Sequence, residues 1–214
     1  MKKSQPYWIQ LAVISCFVAC IGDFVVSFLL SMLYSGYNSL QQSESILGTS
    51  NSPVAGWVAL WSIVFTGLLI FYALGLRRTF VKEHKGITLL AGLIIIYAIG
   101  EGLMSGLFPY DFVNGKLTFP GKIHAVSGII GQAGLYFVPL VAWYALAEQY
   151  PKLKPLSLLV IFAGSVFLLL YGATKLNLID FRGLWQRLFM GVYFLYLMYL
   201  AILTSRQAKK SRII

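Results

Sequence analysis

Apolar residues fall into six long blocks along this chain, at about 7–34, 53–76, 87–108, 124–150, 156–174 and 185–204. At a rise of about 1.5 Å per residue, a helix of some twenty residues crosses the roughly 30 Å hydrocarbon core of a bilayer. Strands of a membrane barrel would instead alternate over about ten residues. The pattern therefore predicts an all-α polytopic integral membrane protein, a six-transmembrane-helix bundle. No polar stretch is long enough to fold separately, so residues 1–214 form a single transmembrane domain.

Local signals refine the blocks. Ser52-Pro53 has the form of an N-cap followed by proline at the first helical position, a sharp start for the second span. Pro139 is expected to kink the fourth. The opening MKKSQPYWIQLAVISC imitates a signal peptide, and residues 13–16 faintly imitate a lipoprotein cleavage box. The apolar stretch continues to Tyr34, past the 7–15 residues of a signal core, so an uncleaved first span is expected.

Composition agrees with the pattern. Hydrophobic residues make up 58% of the chain and charged residues 11%, and the mean hydropathy is +0.77. The cysteines, Cys16 and Cys20, lie four residues apart on one helix, where they suit packing better than a disulfide.

The cations give an orientation. Lys2, Lys3, Arg77, Arg78, Lys82, Lys85, Lys152, Lys154, Arg206, Lys209, Lys210 and Arg212 fall on one side of the six spans, and Lys116, Lys122, Lys175, Arg182 and Arg187 on the other. Twelve against five places both termini in the cytoplasm of a multi-pass cell-membrane protein. The net charge of +10 is then a topology signal and an attraction to anionic lipid, and nucleic acid is not an expected partner. Five of the seven acidic residues, Asp23, Glu44, Glu101, Asp111 and Asp180, lie in the outer half or on the outer face. Outer cations and anions balance, which suggests specific pairing there.

Candidate chemistry gathers at that outer end. Cys16, Cys20, Asp23, Ser27 and Ser31 follow helical spacing down one face of the first span. A carboxylate facing lipid is costly, so this stripe should face the bundle interior or a water-filled cavity. The first outer loop is Ser/Asn/Gln-rich; its middle is expected to form a short interfacial helix, with Glu44 either capping the bundle or solvated. Trp57 and Trp61 fit an aromatic anchor near the outer interface.

In the third span, Ala98, Gly102 and Gly106 form a small-residue face for close helix contact, and Glu101 with Ser105 occupies the neighbouring face. Phe108-Pro109-Tyr110-Asp111 breaks that helix, and His124 opens the fourth span with Gln132 further along. Asp111 and His124 flank one loop and are expected to pair, an arrangement suited to proton transfer or anion binding. The fifth span has few polar groups and is expected to pack peripherally. Arg182 and Arg187 enter the sixth, and Arg187 is expected to engage Asp23 or Glu101, with Gln132 or Gln186 meeting its remaining donors. Tyr193, Tyr196 and Tyr199 mark a structural aromatic face.

Six spans with cytoplasmic ends, an F-P-x-D turn after the third (Phe108, Pro109, Asp111), a histidine opening the fourth (His124) and G-L-x-Q-R opening the sixth (Gly183, Leu184, Gln186, Arg187) resemble a large bacterial membrane family known only as a domain of unknown function. That family is distantly similar to the Frag1/DRAM/Sfk1 proteins of eukaryotes. The resemblance implies an outward-facing polar site. For the eukaryotic relatives it implies links to membrane lipids, autophagy and glycolipid-anchor processing.

No H-E-x-x-H, G-x-S-x-G or Walker loop occurs, and of the two histidines His84 lies in the basic cytoplasmic loop. A zinc site of the usual His-rich kind is disfavoured, although His124 with Asp23, Glu101 and Asp111 would be the ligands left for a metal. No metal or cofactor is expected. The sequence thus points to an outward cavity lined by Asp23, Glu101, Asp111, His124, Gln132, Arg182 and Arg187 that binds or handles the headgroup of a lipid or amphiphile. The alternative is an intramembrane lipid-modifying hydrolase or transferase, with Asp23 or Glu101 as base and His124 as acid or ligand. A third, structural reading makes the chain a subunit of a protein partner or a homo-oligomer.

Overall fold

A computed structural model describes residues 7–80 and 86–210. Lys2, Lys3, Lys82, Glu83, His84, Lys85 and Arg212, which entered the orientation argument, lie outside the described residues, as does the start of the chain through residue 6.

Among the described residues six helices are long and apolar enough to cross a membrane: α1 (Tyr7–Met32), α2 (Ala55–Phe80), α3 (Gly86–Leu107), α4 (Phe119–Leu146), α5 (Leu153–Lys175) and α6 (Arg182–Lys210). The protein is an all-α, multi-pass membrane protein. Each helix packs on its sequence neighbours and α6 returns to α1, so the spans close into a ring with α2 also touching α6. Contact between α4 and α6 is slight, and α5 is the least buried span, the peripheral position expected for it. Tyr7 and Lys210, the first and last described residues, lie at one end of the bundle. The connections 33–54, 108–118 and 176–181 lie at the other, termed here the loop end.

The core explains the ring. Leu69, Tyr72, Leu76, Leu90, Ile94, Tyr97, Leu135, Tyr193, Phe194 and Leu197 are fully buried. Tyr97 stands edge-on to Phe65 and to Phe194 at 6.1 and 6.2 Å between centroids, within the range of favourable aromatic pairs. Tyr193 and Tyr196 face inward as structural groups, Tyr196 sharing a 2.7 Å hydrogen bond with Ser157 of α5.

Helix starts differ from the sequence expectation in two places. The second span begins at Ala55, and the Ser52 hydroxyl accepts from Val54 N at 3.3 Å. The fourth begins five residues before His124. Thr118 is its N-cap, accepting from Gly121 N at 3.1 Å, and Pro120 sits in the first turn, where its missing N–H costs nothing. That helix runs on through Pro139.

Two features carry no helical periodicity. Phe112–Val113 and Lys116–Leu117 pair as a two-stranded hairpin. Asn114 and Gly115 take φ of 50° and 74°, the left-handed pair that a tight hairpin turn requires. The first loop folds back on the bundle, with a short 3-10 helix at Glu44–Gly48, the element expected in its middle.

Candidate functional site

The third span is not a regular helix where Glu101 sits. Ala98–Met104 is π-helical, a widened turn that leaves carbonyls without their usual partners. Thr66 on α2 donates to Ala98 O at 2.9 Å, and Ser105 donates to Gly100 O at 3.1 Å. Glycine makes the geometry accessible. A Cβ on Gly100 would stand 2.6 Å from Ser127 O and 2.8 Å from Gly131 N, so the α3 and α4 backbones touch directly. The small-residue face packs on α2 as expected, Gly102 against Phe65 and Thr66 and Gly106 against Ser62. Glu101 projects from the other side, its carboxylate against Gly128 of α4 and beside the side chain of Gln132.

Two spaces meet at Glu101. A small inner cavity of about 110 Å³ is lined by Asp23, Glu44, Trp61, Tyr97 and Ser105 among others. A cleft of about 760 Å³ runs between α4, α5 and α6, and Glu101, His124, Ser45 and Gln186 line both spaces. Cys16, Cys20, Asp23 and Ser27 of the α1 stripe face inward, whereas Ser31 bonds back to Phe28 O at the exposed end. Asp23 accepts from Trp61 Nε1 at 2.8 Å, and Ser27 donates to Glu44 at 2.8 Å. Trp61 is thus an interior partner of Asp23, while Trp57 is exposed in keeping with an anchor.

His124 is held by both ring nitrogens. Nδ1 lies 2.9 Å from Phe108 O and Nε2 lies 3.2 Å from Ser45 Oγ. A carbonyl only accepts, so Nδ1 carries the proton and Nε2 of the neutral ring accepts from Ser45. The expected pairing with Asp111 does not form. Asp111 Oδ1 accepts from Ser50 N at 3.0 Å and Oδ2 from the Ser50 hydroxyl. The hairpin explains this: Thr118 N bonds Asp111 O at 3.0 Å, closing the turn, and turns the carboxylate toward the first loop while His124 lies further down α4.

Arg187 also departs from expectation. It engages neither Asp23 nor Glu101 but Glu44, with Nε 3.5 Å from Oε1. It further donates to Ser39 O at 2.6 Å and to the Tyr37 hydroxyl at 2.9 Å. Gln186 does not meet Arg187's donors as expected; its Oε1 accepts from Glu44 N at 2.9 Å. Gln132 does not either; its Oε1 is buried with no hydrogen-bond partner among the described residues. Next to them, Leu184 N donates to Leu40 O at 3.0 Å, and Gly183 allows the loop backbone at Ser39 and Gln42 to approach without a side chain between. The G-L-x-Q-R stretch is therefore a clasp for residues 37–44. Burial holds the Tyr37 phenol above its ordinary value of 10.0, with the neighbouring Arg187 opposing the shift.

Of the predicted residues, Asp23 lines the inner cavity, Glu101 and His124 both spaces, and Gln132 and Arg182 the cleft. Asp111 and Arg187 line neither and secure the first loop. Sequence reasoning missed Glu44 and Ser45 as site residues, and Lys175, Tyr110 and Tyr171 as cleft residues. Lys175 sits in the last turn of a span, a signal that reads equally as an interfacial lysine. Among the described residues, no three or more His, Cys, Asp and Glu side chains converge on a point where a metal ion would sit.

A family model described as "Protein of unknown function (DUF998)" matches residues 17–203, and the chain belongs to that family. No curated protein and no solved structure matches it.

Proposed function

We propose that this member of a family of unknown function holds a lipid or other amphiphile in the cleft between α4, α5 and α6, with the polar headgroup at the loop end. The observation that carries the reading is how the cleft changes along its length. Ser43, Ser45, Tyr110, Lys175, Arg182 and Gln186 line it near the loops, whereas Ile129, Ala133, Phe137 and Leu168 line it deeper in the span. From His124 to Phe137 the wall is on the order of 20 Å long, comparable to an acyl chain. With the orientation that the cation distribution implies, the loop end faces outward across the cell membrane. The resemblance to Frag1/DRAM/Sfk1 proteins, through their lipid connections, points the same way.

The test is lipid retention by the full chain purified into nanodiscs. Bound lipid surviving purification, and a gain in thermal stability from at least one lipid of a panel, support the reading. A protein that retains none and gains from none would falsify it.

The Ser45–His124 contact favours a second reading, a hydrolase or transferase acting on a lipid ester. Nδ1 is anchored on a carbonyl and Nε2 is free to take the Ser45 proton, the geometry of a nucleophile with its base. Asp23 and Glu101 as bases have less support, since neither lies within 4 Å of His124 as an ion pair among the described residues. Covalent labelling of Ser45 by a fluorophosphonate, lost in His124→Gln, would favour catalysis. An unlabelled wild type would discard it.

A further inference from the structure

The cleft has an electrostatic asymmetry that its shape does not require. Lys175 closes α5 and Arg182 opens α6, and both line the cleft at its loop end. Among the described residues neither has a carboxylate within 4 Å; the ion pair found there joins Arg187 to Glu44. Two like charges at one end of one cleft repel each other. Their positions are fixed from below. Arg182 Nη2 donates to Thr174 O at 3.2 Å and Nε to Thr174 Oγ1 at 3.4 Å. Lys175 Nζ lies over the Tyr171 ring, 4.9 Å from its centroid.

Taking the cleft as a ligand site, as above, we infer that its loop end receives a phosphate group, held between Lys175 and Arg182. Among the described residues Arg182 Nη1 takes no part in the bonds to Thr174, and a phosphate offers several acceptor oxygens to a guanidinium fork and an ammonium together. An anion there would relieve the repulsion between the two cations. Glu101 also lines the cleft, but it stands in α3 beside Gly128, outside ion-pair distance of either cation. Cations merely extending to bulk headgroups would have no reason to face one cleft. A phosphate could arrive on a lipid or as the free ion, and the two sources are separable.

The experiment uses the delipidated full chain in a neutral maltoside detergent and follows its unfolding midpoint. The additions are dioleoyl phosphatidic acid, dioleoylglycerol, which has the same chains without the phosphate, and inorganic phosphate. The phosphatidic acid is expected to raise the midpoint well above the diacylglycerol. Lys175→Ala/Arg182→Ala should weaken that response about tenfold or more in apparent affinity, and Arg77→Ala/Arg78→Ala, at the opposite end, should leave it unchanged. A full response to inorganic phosphate alone supports the phosphate site with the free ion as its source. Equal responses to the two dioleoyl compounds overturn the inference while leaving the amphiphile reading intact. So does a preference lost in the Arg77/Arg78 variant and kept in the Lys175/Arg182 variant. No response to any addition overturns the amphiphile reading itself.

Discussion

Arg187 in the second turn of α6 and Glu44 at the start of the first loop's 3-10 helix meet at 3.5 Å, with about one sixth of each side chain exposed. The pair closes the loop end, because the same guanidinium also holds Ser39 O and Tyr37. Removing it leaves the Ser39 carbonyl without its donor and the part-buried Glu44 carboxylate without its cation, with the Ser27 hydroxyl still donating to it. Arg187→Ala is expected to cost roughly 2–4 kcal/mol, and Arg187→Lys should recover only part, since one ammonium cannot span these acceptors. Unfolding midpoints with chymotrypsin sensitivity of the first loop, which carries Tyr34, Tyr37 and Leu40, measure this; an Ala variant as stable as the parent would show that the clasp is idle.

The sequence expectation for this residue failed for a definable reason. Spans, small-residue faces and the inward stripe of α1 were legible because each obeys a period or a transfer cost that holds whatever its neighbours are. Residues 37–45 obey none. The bonds that hold them to the bundle run to Gln186, Arg187 and Leu184 of α6, far along the chain, so Glu44 reads as a connector residue and Arg187 as a partner for the carboxylates inside the membrane. Asp111 and His124 failed through a hairpin whose Asn114-Gly115 turn signal was present but went unused. Glu101 was legible as an inward group. The π-helical turn that sets it between two cavities depends on contact with Gly131 of another helix, which one sequence does not display.

The Tyr37 phenol gives the clasp a pH signature. Its hydroxyl donates toward Ser43 O at 3.2 Å and Gln42 O at 3.3 Å while accepting from Arg187. Burial raises its folded value above the ordinary 10.0. Its contribution is therefore complete below about pH 10 and is lost as pH rises through the folded value. Stability should fall more steeply above pH 10 in the wild type than in Tyr37→Phe, a difference that parallel alkaline melts would detect; identical slopes would mean that Tyr37 is solvated.

The α3–α4 contact tolerates no side chain. At Gly100 an added methyl meets backbone atoms of Ser127 and Gly131, which cannot swing aside as a flexible side chain would. Gly100→Ala should cost about 1–3 kcal/mol, whereas Gly172→Ala, facing open space, should be close to neutral. The ratio of the two in denaturant melts checks the close approach independently of any ligand, and equal costs would argue against it.

Whether an amphiphile occupies the cleft, as proposed, is measured most directly by photo-crosslinking. A phosphatidic acid with a diazirine midway along one acyl chain would be incorporated with the full chain in nanodiscs, irradiated, and its adducts mapped by mass spectrometry. Adducts are expected to concentrate on cleft residues such as Ile129, Phe137 and Leu168, in excess of lipid-facing Ile14, Ile21 and Phe28 on α1, which are similarly exposed. The excess is also expected to disappear in Gly172→Trp, where the new ring enters the cleft from a position with no neighbour within 4 Å. Adducts spread evenly over α1 and the cleft, or unchanged by Gly172→Trp, would contradict the proposal.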